Sequence, residues 1–338
     1  MNTSGKTLLL LFVCVLLPTA ASGLSPDGPE IAERILLPDG RIIDMSVVPG
    51  GLPPAVKMAT ATLPSVNKAA GINVLEHVPA FDWSYGCSAT SAAMMAGYYD
   101  NTGYPNMYTG PANGGLCPMN NSTWGYGKCP LSATEQDVDG LLTRGHVDDF
   151  WISYGDGGPD PYLAGGWTRH TSADCTGDFM KTNQSVFGNS DGSTTFYNWT
   201  DGSPFSSTSY TQDGGYGLEQ FFESRGYVVT NRFNQYIVEQ GLTYGFSFAQ
   251  FQNEIDAGRP VLIHVTGHTM LGYGYNTSGS IIYIHDTWDH LDHQMTWGGS
   301  YDRMTHYGVT VISLEDNSSV FDDDFESNST SRWSSTSP

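Results

Sequence analysis

The stretch GCSATSAAMM, residues 86–95, places a cysteine at the start of a predicted helix. Its small side chains would let that helix pack closely against a neighbouring element. A thiol at a helix N-terminus has a lowered pKa, because unpaired backbone N–H groups and the helix dipole favour the thiolate. We therefore expect Cys87 to be a reactive nucleophile. The alternative is a buried or disulfide-bonded cysteine.

Further along the chain, the sequence predicts a helix followed by several strands. Residues 247–255 are amphipathic and predict a helix. The β-branched run 261–265 predicts a buried strand. Residues 269–275 and 281–286 flank a turn at 276–280 and predict an antiparallel hairpin. The expected architecture is therefore α+β.

This hairpin would bring a histidine and a carboxylate together. If Tyr275 pairs with Ile281, then His268 lies opposite Trp288, and Asp286 lies one diagonal step from His268. Diagonal neighbours on adjacent strands are about 7–8 Å apart, which an imidazole and a carboxylate can span. A carboxylate on one ring nitrogen would fix the tautomer and leave the other nitrogen to accept a thiol proton.

Several motifs together resemble one known family. They are VP (78–79), WSYGCSATSAAM (83–94), IDAGRPV (255–261), GHTMLGYGY (267–275) and DTWD (286–289). They are similar to the bacteriocin-processing-like cysteine peptidases, peptidase family C-thirty-nine-like, over roughly residues 75–312. The resemblance implies a papain-like α+β fold, in which an N-terminal helix bearing the cysteine packs on an antiparallel sheet bearing His and Asp.

The resemblance also implies a role for each residue. Cys87 would be the nucleophile, His268 the general base and acid, and Asp286 the group that orients the imidazole. The expected reaction is hydrolysis of peptide bonds through an acyl-enzyme thioester, without a cofactor. Transamidation uses the same groups, with an amine in place of water, and stays open.

The donor for the oxyanion is not fixed by the motifs. The family commonly has a glutamine about six residues before the cysteine, where this chain has Phe81, and Ala89 replaces a usual proline. A protonated Asp82, the indole N–H of Trp83 or the backbone N–H of Cys87 would serve instead, since any preorganised donor can stabilise the oxyanion.

The N-terminus predicts secretion. Lys6 precedes an apolar run at 7–17, and small residues at 19–23 would allow cleavage, so residues 1–23 are interpreted as a signal peptide. The run is too short and too early for a membrane span, and no other apolar run is long enough. We expect an extracellular or periplasmic protein.

Three further segments follow the signal peptide. Residues 24–74 are interpreted as a pro-segment that shields the thiol, or else as an unstructured leader, with one small hairpin at about 36–45. A papain-like peptidase domain would span 75–314, with a loop-rich insertion at about 101–216. Residues 315–338 form an acidic, Ser/Asn-rich tail that we expect to be flexible.

The cysteine count favours a disulfide over a metal site. Cys14 would leave with the signal peptide, and Cys87 must stay free if it is catalytic. Cys117 and Cys129 are the disulfide candidates, because they close a short loop in an oxidising compartment. The fate of Cys175 stays open, and no pair has the two-residue spacing typical of zinc sites.

Composition restricts the partners. The chain has 14 Lys and Arg against 35 Asp and Glu, a net charge of −21, which argues against nucleic acid. We expect a peptide or protein substrate, no membrane span and a monomer. Clustered aspartates at 148–149 and 156–160 would suit calcium, although turn chemistry explains them as well.

A second function class rests on another cluster. The histidines His285, His290 and His293 are interleaved with three aspartates, and such groups bind zinc or manganese. They are weak candidates for a metal-binding hydrolase or binding module, because the chain lacks a His-Glu-x-x-His motif. A third class is a catalytically silent binding module on the same scaffold.

Overall fold

The computed structural model describes residues 29–51, 54, 58–65, 67–105, 107–108, 116–125, 127–133 and 175–315. The predicted signal peptide, the aspartates suggested for calcium and the acidic tail beyond residue 315 lie outside these ranges. Within them, no helix combines the length and apolar character that a membrane crossing requires.

The described residues form four α-helices and eleven strands. The helices are α1 (Cys87–Asn101), α2 (Thr176–Phe179), α3 (Gly214–Ser224) and α4 (Phe248–Asp256). The strands are β1 (Ile31–Leu36), β2 (Ile42–Val48), β3 (Ile72–Val74), β4 (Thr194–Trp199), β5 (Val229–Tyr236), β6 (Val261–Val265), β7 (His268–Asn276), β8 (Ile281–His285), β9 (His293–Thr296), β10 (Ser300–Tyr301) and β11 (Met304–Leu314).

The larger sheet has the order β10-β11-β6-β7-β8-β9 within the described ranges, and β3 and β5 add to β7 and β11. All of these pairs are antiparallel. Its central strands β6 and β7 are buried along almost their whole length, as the β-branched sequence of β6 predicted. The mixed α+β class is confirmed.

Helix α1 packs on β7. This contact brings Cys87, the first residue of α1, close to His268, the first residue of β7. Every residue of α1 except Asn101 is buried. Ser91 Oγ donates to the carbonyl oxygen of Thr269 across 3.0 Å, and Ser88 Oγ lies 2.9 Å from Thr269 Oγ1. These hydrogen bonds hold the first turn of α1 against the beginning of β7.

Helix α4 forms where the amphipathic pattern predicts it. Ser247 and Gln250 form a capping box at its start, and Phe251 and Ile255 are fully buried. The helix therefore supports the larger sheet through β6 and β7.

The predicted hairpin of β7 and β8 is present, with a change of register inside it. Near the turn, Tyr275 pairs with Ile282 rather than with Ile281. An irregularity between Gly272 and Gly274 then shifts the pairing by one residue, which restores the predicted register. His268 accordingly stacks on Trp288, with ring centroids 4.4 Å apart.

The segment before α1 is tied to the rest of the protein by a second, three-stranded sheet. It has the order β1-β2-β4 in the described part of the chain, so the predicted N-terminal hairpin pairs with a strand from the middle of the sequence. Tyr236 on β5 donates to Asp44 Oδ2 across 3.0 Å. Residues 29–48, which we call the leader hairpin, are therefore docked on the body of the protein.

Candidate active site

Cys87 is the first residue of α1 and is fully buried. The preceding Gly86 has φ of +136°, and a Cβ there would lie 2.8 Å from the carbonyl oxygen of Gly192. Only glycine fits both the backbone conformation and the space. The close approach of these two loops therefore fixes the start of the helix that carries the thiol.

His268 is held from two sides. Trp288 stacks on the ring, and Nε2 lies 2.7 Å from the backbone carbonyl oxygen of Asp286. Because a carbonyl only accepts, Nε2 must carry the proton in this contact, and Nδ1 of the neutral ring is then the basic nitrogen. Nδ1 is buried and has no hydrogen-bond partner among the described residues.

The thiol and the imidazole face the same point. A Cβ built on Gly51 would lie 2.6 Å from His268 Nδ1 and 3.0 Å from Cys87 Sγ. The basic nitrogen and the sulfur therefore both border the backbone of Gly51. This is the arrangement that a general base and a nucleophile need around a shared substrate.

Two N–H donors converge on one carbonyl beside the thiol. The backbone N–H of Cys87 donates to Gly50 O across 3.0 Å, and the indole Nε1 of Trp83 donates to the same oxygen across 2.5 Å. Both groups were among the oxyanion donors considered from the sequence. Such a pair of fixed donors is what an oxyanion hole consists of.

Residues 49–51 cover the site. Besides the bonds to Gly50, Trp288 Nε1 donates to Gly51 O across 3.0 Å, and Cys87 Sγ lies 3.4 Å from Pro49 O. The sequence analysis missed this contact, since a short Pro-Gly-Gly stretch has no periodicity. The only local signal was the pair of adjacent glycines.

The pKa of the Cys87 thiol shifts in the direction opposite to the one predicted, with residues 49–51, the covering segment, lying over the site. Burial raises the pKa of Cys87 to about 11, in spite of hydrogen bonds from neighbouring groups that lower it. Burial also lowers the pKa of His268 to about 4. The prediction of a lowered thiol pKa is therefore wrong for this arrangement, in which both groups are neutral at pH 7.

Asp286 contacts His268 through its backbone rather than through its carboxylate, which corrects the expected contact. The carboxylate accepts from Tyr301 OH at 2.6 Å and from the backbone N–H of Trp288 at 2.9 Å. It also lies 3.5 Å from His293 Nε2. These partners hold the carboxylate, and it is the backbone carbonyl of Asp286 that contacts the imidazole of His268.

Asp82, the other oxyanion candidate, has different partners. Its carboxylate accepts from the backbone N–H of Gly127 at 3.2 Å and lies 3.7 Å from His290 Nε2. Its own backbone exchanges hydrogen bonds with the side chain of Asn121. These contacts tie Asp82 to the loop after α1, whereas Trp83 contacts Gly50.

The three histidines considered for a metal do not share a set of partners. His285 stacks on Tyr273, and His290 Nε2 lies 2.7 Å from Asn121 Oδ1. Each ring also has a different carboxylate near it: His285 Nδ1 lies 4.0 Å from Asp292 Oδ1, and His290 Nε2 lies 3.7 Å from Asp82 Oδ1. Among the described residues, His293 is the histidine that lies near two carboxylates at once. Its side chain and those of Asp286 and Asp289 offer ligand atoms within 4.8 Å of one another.

This acidic group is already internally bonded. His293 Nε2 lies 3.0 Å from Asp289 Oδ1, and the nearby carboxylates raise the pKa of His293 against the opposing effect of burial. Of the three histidines named from the sequence, only His293 belongs to a group of possible metal ligands within the described residues, so the predicted set of three is not brought together.

The four described cysteines are all buried, and no disulfide joins any two of them. Burial is the main cause that raises the pKa of both Cys117 and Cys129, the predicted disulfide pair, and the nearby Cys129 raises that of Cys117 further. The predicted bond between them is not formed in this structure. Cys175 is likewise a buried thiol.

Comparison with known proteins gives one match. The family model described as the Peptidase_C39 like family matches residues 168–309. These bounds include His268 and Asp286 and leave Cys87 outside, so they are narrower than the span over which the motifs resemble the family. No curated protein and no solved structure shows significant similarity to the chain.

The family points to cysteine peptidase activity, and thus to a hydrolase that acts on peptide or protein substrates. The resemblance carried by the sequence motifs is confirmed in the part of the chain that the family model covers. Over residues 168–309, the chain is therefore similar to the Peptidase_C39 like family.

Proposed function

We propose that the protein is a secreted cysteine peptidase that hydrolyses peptide bonds through Cys87 and His268. The observation that carries the proposal is the convergence of four groups on one peptide unit. Cys87 Sγ and His268 Nδ1 border Gly51, and the N–H groups of Cys87 and Trp83 bind Gly50 O. An acyl-transfer site needs a nucleophile, a base and oxyanion donors around the same carbonyl.

In the proposed reaction, His268 Nδ1 accepts the proton of Cys87 as the sulfur attacks the carbonyl carbon of the substrate. The two N–H donors stabilise the oxyanion. His268 then protonates the leaving amine, and the acyl group remains on sulfur as a thioester. Water, deprotonated by the same ring nitrogen, hydrolyses the thioester and restores the thiol.

Asp286 is proposed as a positioning residue rather than as a catalytic one. Its carbonyl holds Nε2–H of His268 and so keeps Nδ1 as the basic nitrogen. Trp288 restricts the ring by stacking. Secretion is supported by the signal-peptide pattern at residues 1–23, and we propose the domain limits that the sequence analysis predicts.

The test uses a library of fluorogenic peptides with the full-length protein, Cys87→Ala and His268→Ala. We expect hydrolysis by the wild type, none by Cys87→Ala and about 10²- to 10⁴-fold slower turnover by His268→Ala, since this is the usual contribution of general acid–base catalysis. Cys117→Ala is the matched control, because it removes another buried thiol, and it should retain activity.

Alkylation with iodoacetamide provides an independent measurement. Mass spectrometry should locate the modification at Cys87, and His268→Ala should slow it at neutral pH. Hydrolysis that persists in Cys87→Ala would contradict the proposal, as would a wild type that neither hydrolyses any peptide nor reacts at Cys87 faster than His268→Ala does.

A further inference from the structure

We propose that the chain cleaves itself in cis between Gly50 and Gly51, and that the leader hairpin thereby delivers the first peptide bond to its own active site. The inference rests on the proposed function and adds a substrate to it. Three independent features of the described residues support it: the position of one carbonyl, the requirement for glycine on both sides of the bond, and the docking of the leader hairpin.

The carbonyl that the donors bind identifies the bond. Gly50 O receives the N–H of Cys87 and the indole N–H of Trp83. The carbon that bears this oxygen is linked to the nitrogen of Gly51, so the bond beside the thiol is Gly50–Gly51. Pro49 O, the preceding carbonyl, instead lies 3.4 Å from Cys87 Sγ.

Residues 50 and 51 must both be glycine for residues 49–51 to occupy this position. A Cβ on Gly50 would lie 2.0 Å from the carbonyl oxygen of Asp191, and one on Gly51 would lie 2.6 Å from His268 Nδ1. Gly51 also has φ of +66°. The loop around Asp191 and the catalytic imidazole therefore enclose the backbone on both sides, as the walls of a cleft enclose a bound substrate.

The leader hairpin holds the segment in place. Strand β2 ends at Val48, and six residue pairs join it to β4. Gly50 therefore follows the last paired residue by two positions and has little freedom to leave the cleft. Since the whole arrangement belongs to one chain, the bond is presented without a second molecule.

The chemistry balances with water as the co-reactant. Cys87 Sγ bonds to the carbonyl carbon of Gly50, and its proton passes to His268 Nδ1. The carbon–nitrogen bond to Gly51 then breaks, and the ring returns the proton to the new amino group of Gly51. Water hydrolyses the thioester, which leaves a carboxylate on Gly50 and restores the thiol.

The neutral state of both groups is consistent with a slow first turnover. The thiol has a pKa of about 11 and the imidazole about 4 while residues 49–51 cover them. Departure of the Gly51 end after cleavage would admit water and remove part of the burial that causes both shifts.

The experiment follows the intact full-length chain by mass spectrometry and N-terminal sequencing after purification. We expect a new N-terminus at Gly51 in the wild type and in Cys117→Ala, and an unbroken Gly50–Gly51 bond in Cys87→Ala. The rate should be first order and unchanged over a tenfold range of protein concentration. Processed wild type added to Cys87→Ala should leave that bond uncut.

Two results would overturn the inference without touching the proposed function. One is a wild type that hydrolyses library peptides, or is alkylated at Cys87 with dependence on His268, while Gly50–Gly51 stays intact. The other is cleavage of Cys87→Ala by added wild type as fast as the wild type cleaves itself, which would mean a reaction in trans. A wild type with no activity of any kind would overturn both proposals.

Discussion

Gly50 accepts a hydrogen bond of 3.0 Å from the backbone N–H of Cys87, the residue that also carries the thiol. The donor belongs to the first turn of α1, where backbone N–H groups have no partner within the helix. The carbonyl of Gly50 therefore occupies the N–H group that we propose as a donor to the substrate oxygen. The same oxygen receives the indole N–H of Trp83.

Trp83→Phe tests the second donor. The change removes the indole N–H and keeps an aromatic ring beside Tyr85, with which Trp83 packs at 5.6 Å. Loss of one oxyanion donor should reduce kcat for library peptides by about 10²- to 10³-fold. Stopped assays with saturating peptide measure this loss.

Trp124→Phe is the control, since its ring packs on Phe81 and Tyr108 instead. It should retain kcat. Alkylation of Cys87 should continue in Trp83→Phe, because the thiol and its base are unchanged. Equal kcat values for the two variants would show that the indole donates nothing to the oxyanion.

Asp286→Asn distinguishes a backbone contact from a carboxylate contact. The variant keeps the carbonyl that holds Nε2 of His268. We expect less than about a tenfold loss in kcat, whereas removal of a carboxylate that directly orients a catalytic histidine costs about 10⁴-fold. Steady-state kinetics beside His268→Ala provide the comparison. A loss as large as that of His268→Ala would mean that the carboxylate meets the ring during reaction.

Acid should destabilise the folded protein through its buried neutral histidines. Burial lowers the pKa to about 4 for His268 and His285, and to about 3 for His264 and His306. Below pH 6.5 these histidines bind protons in the unfolded state but stay neutral in the folded state. The free energy of unfolding present at pH 7 is therefore lost as the pH falls from 6.5 towards 4. Each ring should cost about 2 kcal/mol by pH 5.

His306→Leu isolates one of these contributions away from the active site. Urea unfolding at pH 7 and pH 5 should show a loss of free energy on acidification that is about 2 kcal/mol smaller in the variant. Because the difference between the two pH values is compared, a constant packing effect cancels. An identical loss in both proteins would refute a neutral His306.

Tyr236→Phe should weaken the hold on the leader hairpin. Its hydroxyl donates to Asp44 on β2, which is otherwise paired with Arg34 at 2.7 Å. A hydrogen bond from a buried tyrosine to a carboxylate contributes about 1.5–3 kcal/mol, so the dissociation constant of the cleaved leader should rise about 10- to 100-fold.

Gel filtration of processed protein, with mass spectrometry of each fraction, measures how much leader stays bound. Tyr244→Phe is the matched control, because Tyr244 is 57% exposed. Leader retention that is equal in both variants would show that the contact with Asp44 does not hold the hairpin.

The sequence predicted the parts of the site that periodic elements build. The small-residue pattern after Cys87 marks a helix, and the alternating pattern around His268 marks a hairpin, so local pattern was enough to place both residues. The register near the turn was wrong by one residue, since an irregularity after Gly272 cannot be inferred from hydrophobicity. The predicted proximity of His268 and Trp288 is nevertheless present, as a stacked pair of rings.

The covering segment and the partners of Asp286 could not be predicted. Gly50 and Gly51 lie outside any helix or strand, and their place depends on tertiary contacts of β2. Several donors compete for the carboxylate of Asp286, and Tyr301 comes from a strand that the sequence analysis did not identify. Contacts of this kind depend on the assembled sheet rather than on local pattern.

The three-residue step from Val48 to Gly51 has a kinetic consequence. A group tethered beside its binding site has an effective concentration of the order of millimolar. An external peptide must exceed that concentration, or bind more tightly than Gly50, to reach the N–H groups of Cys87 and Trp83. Intact chains should therefore turn over added peptide poorly, whatever its sequence. Freshly prepared protein should show a lag before steady hydrolysis, and the length of that lag should not depend on how much protein is present.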